Sequence, residues 1–234
     1  MQPARGYRVA IDPVFLAAAV PAKSGETVLD LGCGVGAASL CLAVRVADCR
    51  IVGIDADRGL VRLAGDNATR NGLSHRIMTL TGDLLRPPQR LEPESFAHVM
   101  ANPPYLPAGT ATPSPVGSKV QSNIEGAADL AAWVRCALTM ARGKGTMTFI
   151  HRADRIESLL ALLAGRAGDI VVFPLWPGNG KDAKRVIVHA RKGVASPTRL
   201  SAGLVLHEAD GRYTEAAQSI LRQGAALPIG IPAA

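Results

Sequence analysis

Long apolar runs are missing from this 234-residue chain, in which the longest are VFLAAAV at residues 14–20 and LLALLAG at residues 159–165. Neither approaches the roughly 18 to 20 residues that a membrane-spanning helix needs. Arg5 and Arg8 ahead of the first run loosely imitate a secretory signal, but Asp12 and Pro13 occupy the start of its apolar region. We therefore expect no membrane partner and a cytoplasmic protein.

Cysteine is also scarce, and the four residues present form no CxxC pair: Cys33, Cys41, Cys49 and Cys136. This spacing favours neither a zinc site nor a disulfide framework. We expect no metal, and a reducing compartment suits the chain best.

Charged residues make up only 19% of the chain and hydrophobic residues 48%, a composition that excludes disorder over most of its length. The length predicts one domain over residues 1–234. Basic residues outnumber acidic ones 13 to 7 in residues 141–234, whereas residues 1–140 hold 13 basic and 12 acidic side chains. The late cluster suggests either a contact with a polyanion such as RNA or a solvated basic face. Its candidate contacts are Lys181, Lys184 and Arg185.

From residue 27 onward, short β-branched runs alternate with helical stretches, which predicts an α/β fold with a mostly parallel sheet. The predicted strands cover residues 27–31, 50–55, 76–82, 97–102, 145–151, 169–175 and 184–190. Helices are expected near 35–46, 58–71, 127–141 and 154–163. Residues 107–123 read as a long loop, and residues 191–234 as a C-terminal extension with a possible strand at 204–207 and a short helix at 214–222.

The sharpest motif is DLGCGVG at residues 30–36, where the first strand should turn into a helix. Gly32, Gly34 and Gly36 allow positive φ and let a ligand lie against bare backbone. The same stretch fits a G-x-G-x-x-A dinucleotide fingerprint. Glycines at alternate positions and a carboxylate at Asp30 favour a nucleoside without a diphosphate, since Asp30 would repel phosphate but can engage a cationic aminoacyl group.

Two more acids follow predicted strands. Asp55 comes 19 residues after Gly36, and Asp83 lies in the sequence GDLL after the third strand. Each acid alone reads as a helix N-cap or a surface residue. Together they predict a nucleoside site, because open α/β sheets bind ligands at the carboxyl ends of their strands, where Asp55 can accept from ribose hydroxyls and Asp83 from an adenine amine.

The motif Asn102-Pro103-Pro104-Tyr105 ends the predicted fourth strand. By itself it reads as a strand terminator. After a glycine-rich cofactor loop it fits the recognition of a planar amine, in which the Asn102 amide oxygen and the next backbone carbonyl accept two N–H bonds, the prolines fix the backbone and Tyr105 stacks on the attached ring. His151, at the tip of the fifth strand, is a candidate neighbour of the substrate, and Trp133 is expected in the core.

These motifs resemble the class I S-adenosylmethionine-dependent methyltransferases that carry NPPY, and among them the valine-tRNA adenine-N6 methyltransferases. The likeness also covers GYRVAIDPVFLAAAVP, VGIDADRGLVRLAGDNATRNG and KDAKRVIVHARKG. The resemblance implies S-adenosylmethionine as cofactor, a tRNA substrate and a Rossmann-like seven-stranded sheet in the order 3-2-1-4-5-7-6 with the last strand antiparallel. It also implies that residues 1–24 form a flap over the cofactor and adds Asp12, Ala56 and Leu84 to the cofactor contacts.

Three alternatives stay open on sequence grounds. Relatives with NPPY methylate the amide of a protein glutamine or the N2 amine of guanine, and a scaffold of this kind can serve as a non-catalytic RNA-binding module. The glutamine enzymes carry a helical domain ahead of the cofactor loop, whereas 26 residues precede the first strand here, which favours adenine N6.

Overall fold

The computed structural model describes residues 1–3, 10–105, 128–227 and 229. The helices in this part of the chain are α1 (Asp12–Ala19), α2 (Ala37–Arg45), α3 (Arg58–Arg70), α4 (Leu130–Met140), α5 (Ile156–Leu163) and α6 (Glu215–Gln223). The strands are β1 (Thr27–Leu31), β2 (Arg50–Asp55), β3 (Ile77–Thr81), β4 (Phe96–Ala101), β5 (Ala141–Arg152), β6 (Ala167–Trp176), β7 (Arg185–Lys192), β8 (Arg199–Leu200) and β9 (Leu204–Val205). The predicted loop at residues 107–123 lies outside the described residues.

All the strands belong to one sheet, in the order β3-β2-β1-β4-β5-β7-β6-β8, with β9 also paired to β6. The first five strands run parallel, and β7 is antiparallel to both β5 and β6. This confirms the Rossmann-like α/β fold and the order 3-2-1-4-5-7-6. The expected seven strands are extended by β8 and β9, two-residue strands that pair in parallel with β6. β9 lies within the possible strand expected at 204–207, whereas β8 was not predicted, because two residues give little period-2 signal in the sequence.

Apolar helices cover both faces of the sheet. One buried cluster joins α1 and α2 to the sheet and includes Phe15, Leu42 and Ile51. The other joins α4 and α5 to the opposite face and includes Trp133 and Leu159. Because both faces are covered, the central strands read as continuous apolar runs, and β4 is buried at every position.

Helix α1 is an element that the sequence pattern did not predict. Residues 14–20 read as an apolar run, and seven of the eight residues of α1 are buried, so the run has no polar face to show a helical period. Pro13 lies in its first turn, where a missing N–H costs nothing. The C-terminal segment packs on the same helix, since the Leu227 N–H donates to the Ala18 carbonyl at 2.8 Å.

Candidate functional site

Four polar side chains lie where neighbouring strands end. Asp55 is the last residue of β2, Asp83 follows β3, Asn102 follows β4 and Asp30 is the penultimate residue of β1. Since these four strands are adjacent and parallel, the side chains share one edge of the sheet, the edge at which open α/β sheets bind ligands.

The glycine-rich turn between β1 and α2 adopts a conformation that suits glycine. Gly32, Gly34 and Gly36 have φ of 66°, 55° and 82°. A Cβ on Gly32 would overlap the indole ring of Trp133, whereas a Cβ on Gly34 would meet no atom within 4 Å. Bare backbone at Gly34 therefore borders open space in which a ligand can lie. Glycine is needed at position 32 for another reason, which is the close packing of Trp133.

Asp55 ties the glycine-rich turn to β2. Its carboxylate accepts the Gly34 N–H and the Asp57 N–H, each at 2.9 Å. Asp57 takes the N-cap role, because its side chain accepts from the Gly59 and Leu60 N–H groups at the start of α3. Burial raises the pKa of Asp55, and the two backbone N–H groups only partly offset this.

Asp30 is buried at the base of the same turn. Its carboxylate accepts a 2.6 Å hydrogen bond from the Ser39 hydroxyl in α2. Burial raises the pKa of Asp30 to about 7, the Ser39 hydrogen bond works against this rise, and the charge of Asp55 adds to it. Neither acid forms an ion pair with any residue in the described parts of the chain. The site is thus suited to a cationic ligand.

Ala56 directly follows β2, and Asp83 and Leu84 follow β3. Strand β3 is on the opposite side of β2 from β1 and β4, and so from Asn102. Ala56 and Asp83 are exposed and Leu84 is half-buried. The Asp83 carboxylate accepts the Leu85 N–H at 2.9 Å, so a local turn fixes its orientation.

The residues of the NPPY motif meet two side chains from distant parts of the chain. The Tyr105 hydroxyl lies 2.8 Å from the Asn102 amide oxygen and forms a hydrogen bond with the Asp12 carboxylate. Asp12 also accepts from Arg185 Nε at 2.9 Å. The Arg185 guanidinium covers one face of the Tyr105 ring, 4.4 Å from its centroid. The structure therefore places Asp12 with Tyr105, and the cofactor contact expected of Asp12 stays a prediction.

His151 is completely buried beside Tyr105, with the two rings edge to face and their centroids 5.5 Å apart. Its Nδ1 accepts the Arg152 N–H at 2.9 Å, which leaves the proton of a neutral ring on Nε2. Burial, and to a smaller extent the charge of Arg155, lower the pKa of His151 to about 4. His151 is therefore a neutral neighbour of the NPPY motif near pH 7.

The three basic residues proposed for RNA binding differ in their surroundings. Lys181 and Lys184 are exposed in the loop between β6 and β7 and form no ion pair with another residue that the structure describes. Arg185, the first residue of β7, is half-buried and paired with Asp12. Burial lowers the pKa of Arg185, but the charge and hydrogen bond of Asp12 together with the interactions of Tyr105 outweigh it, so the net shift of the pKa is upward. Arg185 thus packs against the NPPY motif and differs from the two lysines.

Sequence reasoning missed Ser39 as a partner of Asp30 and the contact of Trp133 with Gly32. The signal for Ser39 is a single polar residue in the apolar run AASLCLAV at residues 37–44. Trp133 is core, as expected, but its indole Nε1 is buried without a hydrogen-bond partner in the described chain. Across the described residues, no cluster of metal-ligating side chains and no helix long and apolar enough to cross a membrane is found.

Comparison with known proteins agrees with this geometry. Residues 9–124 match the family model of the methyltransferase small domain. A tRNA1(Val) (adenine(37)-N6)-methyltransferase of Aeromonas hydrophila is 25% identical over 211 residues, covering 89% of this chain and 86% of that protein. A protein of the same name from Actinobacillus succinogenes is 26% identical, covering 88% and 85%. The chain is an S-adenosylmethionine-dependent methyltransferase.

Solved structures show the same methyltransferase fold. A predicted O-methyltransferase from Agrobacterium tumefaciens superposes with a TM-score of 0.77 at 24% identity, covering 92% of this chain and 98% of that one. An S-adenosylmethionine-dependent O-methyltransferase from Thermotoga maritima gives a TM-score of 0.60 at 16% identity, covering 81% and 68%. These likenesses are of fold; the family match and the named relatives are what identify an enzyme with S-adenosylmethionine as its methyl donor.

The residues at the edge of the sheet fit this methyl donor. S-Adenosylmethionine carries a sulfonium and an ammonium group. Beside the open backbone at Gly34 the methyltransferase offers the buried Asp30 and the half-buried Asp55, neither of which forms an ion pair within the described parts of the chain. The two acids complement the positive charge of the cofactor, and the open backbone leaves space for it. This region at the end of β1 is next to Asn102 at the end of β4.

Proposed function

We propose that this methyltransferase transfers a methyl group to the exocyclic N6 amine of an adenine in tRNA, near the anticodon. The observation that carries the proposal is the Asn102 amide oxygen, which lies beside the Tyr105 ring and at the end of a strand adjacent to that of the cofactor loop. The relatives named as tRNA adenine-N6 methyltransferases, aligned over most of the chain, support this acceptor. A tRNA substrate also suits a cytoplasmic protein.

In this proposal the NPPY motif binds and orients the acceptor. The Asn102 amide oxygen and the Pro103 carbonyl accept the two N–H bonds of the amine, while Pro103 and Pro104 fix the backbone between them. These bonds strengthen as the nitrogen becomes tetrahedral and positive, so they stabilise the transition state more than the bound substrate. Arg185 covers one face of Tyr105, and the target base would stack on the same aromatic ring.

The cofactor contacts follow the strand ends. When bound, S-adenosylmethionine supplies a methyl group activated by the sulfonium. Gly32, Gly34 and Gly36 would form the backbone cradle, Asp55 would accept from the ribose hydroxyls, and Asp30 would face the ammonium group directly or through water. Ala56, Asp83 and Leu84 would border the adenine.

We also propose that the chain is a single domain in which residues 1–24 flank the cofactor pocket. Two described contacts support this. The Met1 carbonyl accepts from Asn67 Nδ2, which also donates to Val35 in the cofactor loop, and Asp12 bonds to Tyr105. Residues 191–234 would form an extension, within which the Leu227 N–H bonds to α1.

Cofactor affinity is expected to rise with pH because of Asp30. Its pKa of about 7 means that most of the carboxyl is protonated at pH 6 and ionised at pH 8, and only the ionised form attracts an ammonium group. Calorimetric titration with S-adenosylmethionine should show affinity rising by up to about tenfold over this range. Asp30→Asn should remove this increase.

The same variant tests the sign of the Asp30 pKa shift. A raised pKa means that the folded protein favours the protonated acid, so ionisation costs stability as pH rises from about 4 through 7. Asp30→Asn should therefore raise the melting temperature of the cofactor-free enzyme at pH 8 more than at pH 5.5. This account of Asp30 would be contradicted if the wild-type affinity for S-adenosylmethionine did not depend on pH. It would also be contradicted if Asp30→Asn were less stable than the wild type at pH 8.

Lys181 and Lys184 are expected to contact the RNA backbone. Phosphate contacts supply affinity with little sequence information, so the double variant Lys181→Ala/Lys184→Ala should weaken binding to all RNAs alike. The slope of log affinity against log salt concentration should become shallower by about 1.4, since each contact to single-stranded RNA contributes about 0.7. Fluorescence anisotropy with tRNA over a salt series measures this slope.

Lys23→Ala/Lys144→Ala is the matched control. Both lysines are exposed and lie at the opposite edge of the sheet, just before β1 and near the start of β5, so this variant loses the same net charge. Equal slopes of log affinity against log salt concentration for the two double variants would mean that the lysines of the loop between β6 and β7 are solvated and do not contact RNA.

A comparison of acceptors tests the proposed function. Purified enzyme and labelled S-adenosylmethionine are incubated separately with tRNA that lacks N6-methyladenosine, with a release-factor peptide that contains glutamine, and with a guanine-containing RNA devoid of adenine. We expect label in N6-methyladenosine of the tRNA alone. Label in glutamine or in N2-methylguanosine would show that one of the two alternative acceptors, and not adenine, is the substrate.

A further inference from the structure

A C-terminal hairpin, residues 202–214, lies against the strand that leads into the basic loop of residues 177–184. Strand β9, in the first part of this hairpin, pairs with the end of β6. The Leu206 N–H donates to the Trp176 carbonyl at 2.8 Å, and the Trp176 indole Nε1 donates to the Ala202 carbonyl at 2.9 Å. The hairpin therefore fixes the position at which the basic loop leaves the sheet.

His207 extends this contact into the loop itself. Its Nδ1 lies 2.9 Å from the carbonyl oxygen of Pro177, the first residue of the loop. A carbonyl oxygen can only accept, so Nδ1 carries the proton and donates it. The His207 ring also stacks on Tyr213 in the other arm of the hairpin, with the centroids 4.5 Å apart and 28° between the planes. The stack limits rotation of the ring and keeps its donor directed at the loop.

The basic loop carries its lysines at the edge of the sheet that holds the NPPY motif. Arg185, which follows the loop, pairs with Arg152 at the end of β5. The Lys181 N–H donates to the Gly178 carbonyl at 3.2 Å, and a Cβ on Gly178 would lie 3.5 Å from Lys181 Cδ. Lys181 thus packs on the residue next to the one that His207 holds.

The hairpin is poorly suited to contact RNA directly. Its charged residues are all exposed and comprise two acids and one arginine: Glu208, Asp210 and Arg212. Asp210 is paired with Arg212, so no basic side chain is left over for a phosphate. A surface of this charge repels a polyanion. Any effect of the hairpin on RNA binding therefore has to pass through the basic loop.

We propose that His207 is a positioning residue for RNA binding, which holds the basic loop so that Lys181 and Lys184 meet the RNA backbone beside the acceptor site. This rests on the proposed function, in which these lysines contact tRNA. Two of the eight loop residues are glycines, so a loop without an anchor would lose conformational freedom when RNA binds, at a cost in affinity. The bond from His207 makes this ordering a part of folding.

Coupling between His207 and the lysines tests the proposal. His207→Ala should weaken tRNA binding in fluorescence anisotropy by about three- to tenfold, the range expected for the loss of one hydrogen bond. Added to Lys181→Ala/Lys184→Ala, it should cause little further loss, because the loop then has no lysines to position. An equal fold-loss in both backgrounds, or full affinity in His207→Ala alone, would overturn the proposal.

Two variants separate the hydrogen bond from a general effect on the hairpin. His207→Asn places an amide donor near the position of Nδ1 and should restore most of the tRNA affinity that His207→Ala loses. Gln218→Ala is the matched control, because it removes an exposed 3.1 Å bond to the Tyr213 carbonyl and leaves the loop untouched. It should bind tRNA like the wild type. Affinity as low in His207→Asn as in His207→Ala would contradict a role for the Nδ1 donor.

Hydrogen exchange of the RNA-free enzyme measures the position of the loop without any substrate. Peptides covering residues 178–184 should exchange faster in His207→Ala than in the wild type, and at close to the wild-type rate in His207→Asn. Calorimetry should give the wild-type dissociation constant for S-adenosylmethionine in both variants, which shows that the fold is intact. Unchanged exchange in His207→Ala would overturn the proposal.

These measurements distinguish failure of this inference from failure of the proposed function, because binding and exchange do not depend on methyl transfer. If the wild type methylates none of the three acceptors but His207 and the lysines are coupled, the proposed acceptor is wrong and the role of His207 stands. If tRNA is methylated but the losses in affinity multiply, the proposed function stands and the role of His207 is wrong.

Discussion

Asn102→Ala should lower kcat for methyl transfer by about two orders of magnitude or more, while the dissociation constant for S-adenosylmethionine changes little. The variant removes an acceptor that gains strength only as the amine becomes positive. It leaves the glycine-rich turn and Asp55 intact, since Asn102 contacts neither of them among the described hydrogen bonds. Single-turnover kinetics and calorimetry measure the two quantities separately.

Two further variants sharpen this prediction. Asn102→Gln keeps the amide but displaces it by one methylene, and it should lose most of the activity if the position of the oxygen matters. Asn71→Ala removes an amide whose Nδ2 donates within the last turn of α3, and it should keep wild-type kcat. Activity retained in Asn102→Ala would show that the motif is a strand terminator only.

Gly32→Ala is expected to be the most damaging single-methyl change in the cofactor loop. The residue has φ of 66°, and an added Cβ would overlap the Trp133 ring, which is buried and has little room to move. Strain and overpacking together should lower the free energy of unfolding by about 2 to 4 kcal/mol. Urea denaturation of the cofactor-free enzyme measures the loss.

Gly34→Ala is the matched control for this loss. Gly34 has φ of 55°, so it shares the backbone strain, but its added Cβ meets no atom within 4 Å. Its free energy of unfolding should fall by only about 1 kcal/mol, the cost of left-handed backbone at a residue with a Cβ. Equal losses in the two variants would mean that the contact with Trp133 is not the cause.

Most of the sheet could be predicted from the sequence because its strands are buried on both faces and bounded by turns. The structure gives β1 and β2 the predicted bounds of 27–31 and 50–55. Helix α1 could not be predicted, because a short helix buried on nearly every side has no amphipathic period. Strand β8 is set by pairing with β6, a tertiary contact that two residues of sequence cannot encode, whereas β9 lies within the possible strand expected at 204–207.

The strand-end residues of the site were predictable for a similar reason. The carboxyl ends of parallel strands meet at one edge of the sheet, so the sequence alone predicted that Asp55, Asp83 and Asn102 belong to one site. The partnership of Asp12 with Arg185 could not be predicted, because it depends on where α1 begins and on β7 running antiparallel beside β5. Charge alone grouped Arg185 with Lys181 and Lys184, whereas the fold places Arg185 against Tyr105.

Mass spectrometry of tRNA nucleosides tests the central claim most directly. Total tRNA is digested from cells that lack the gene and from the same cells given back either the wild-type gene or the Asn102→Ala gene at equal protein levels. We expect N6-methyladenosine to fall in the deletion strain, to return with the wild-type gene and to stay low with Asn102→Ala. The same amount of N6-methyladenosine in all the strains would contradict the claim that this methyltransferase acts on adenine N6 in tRNA.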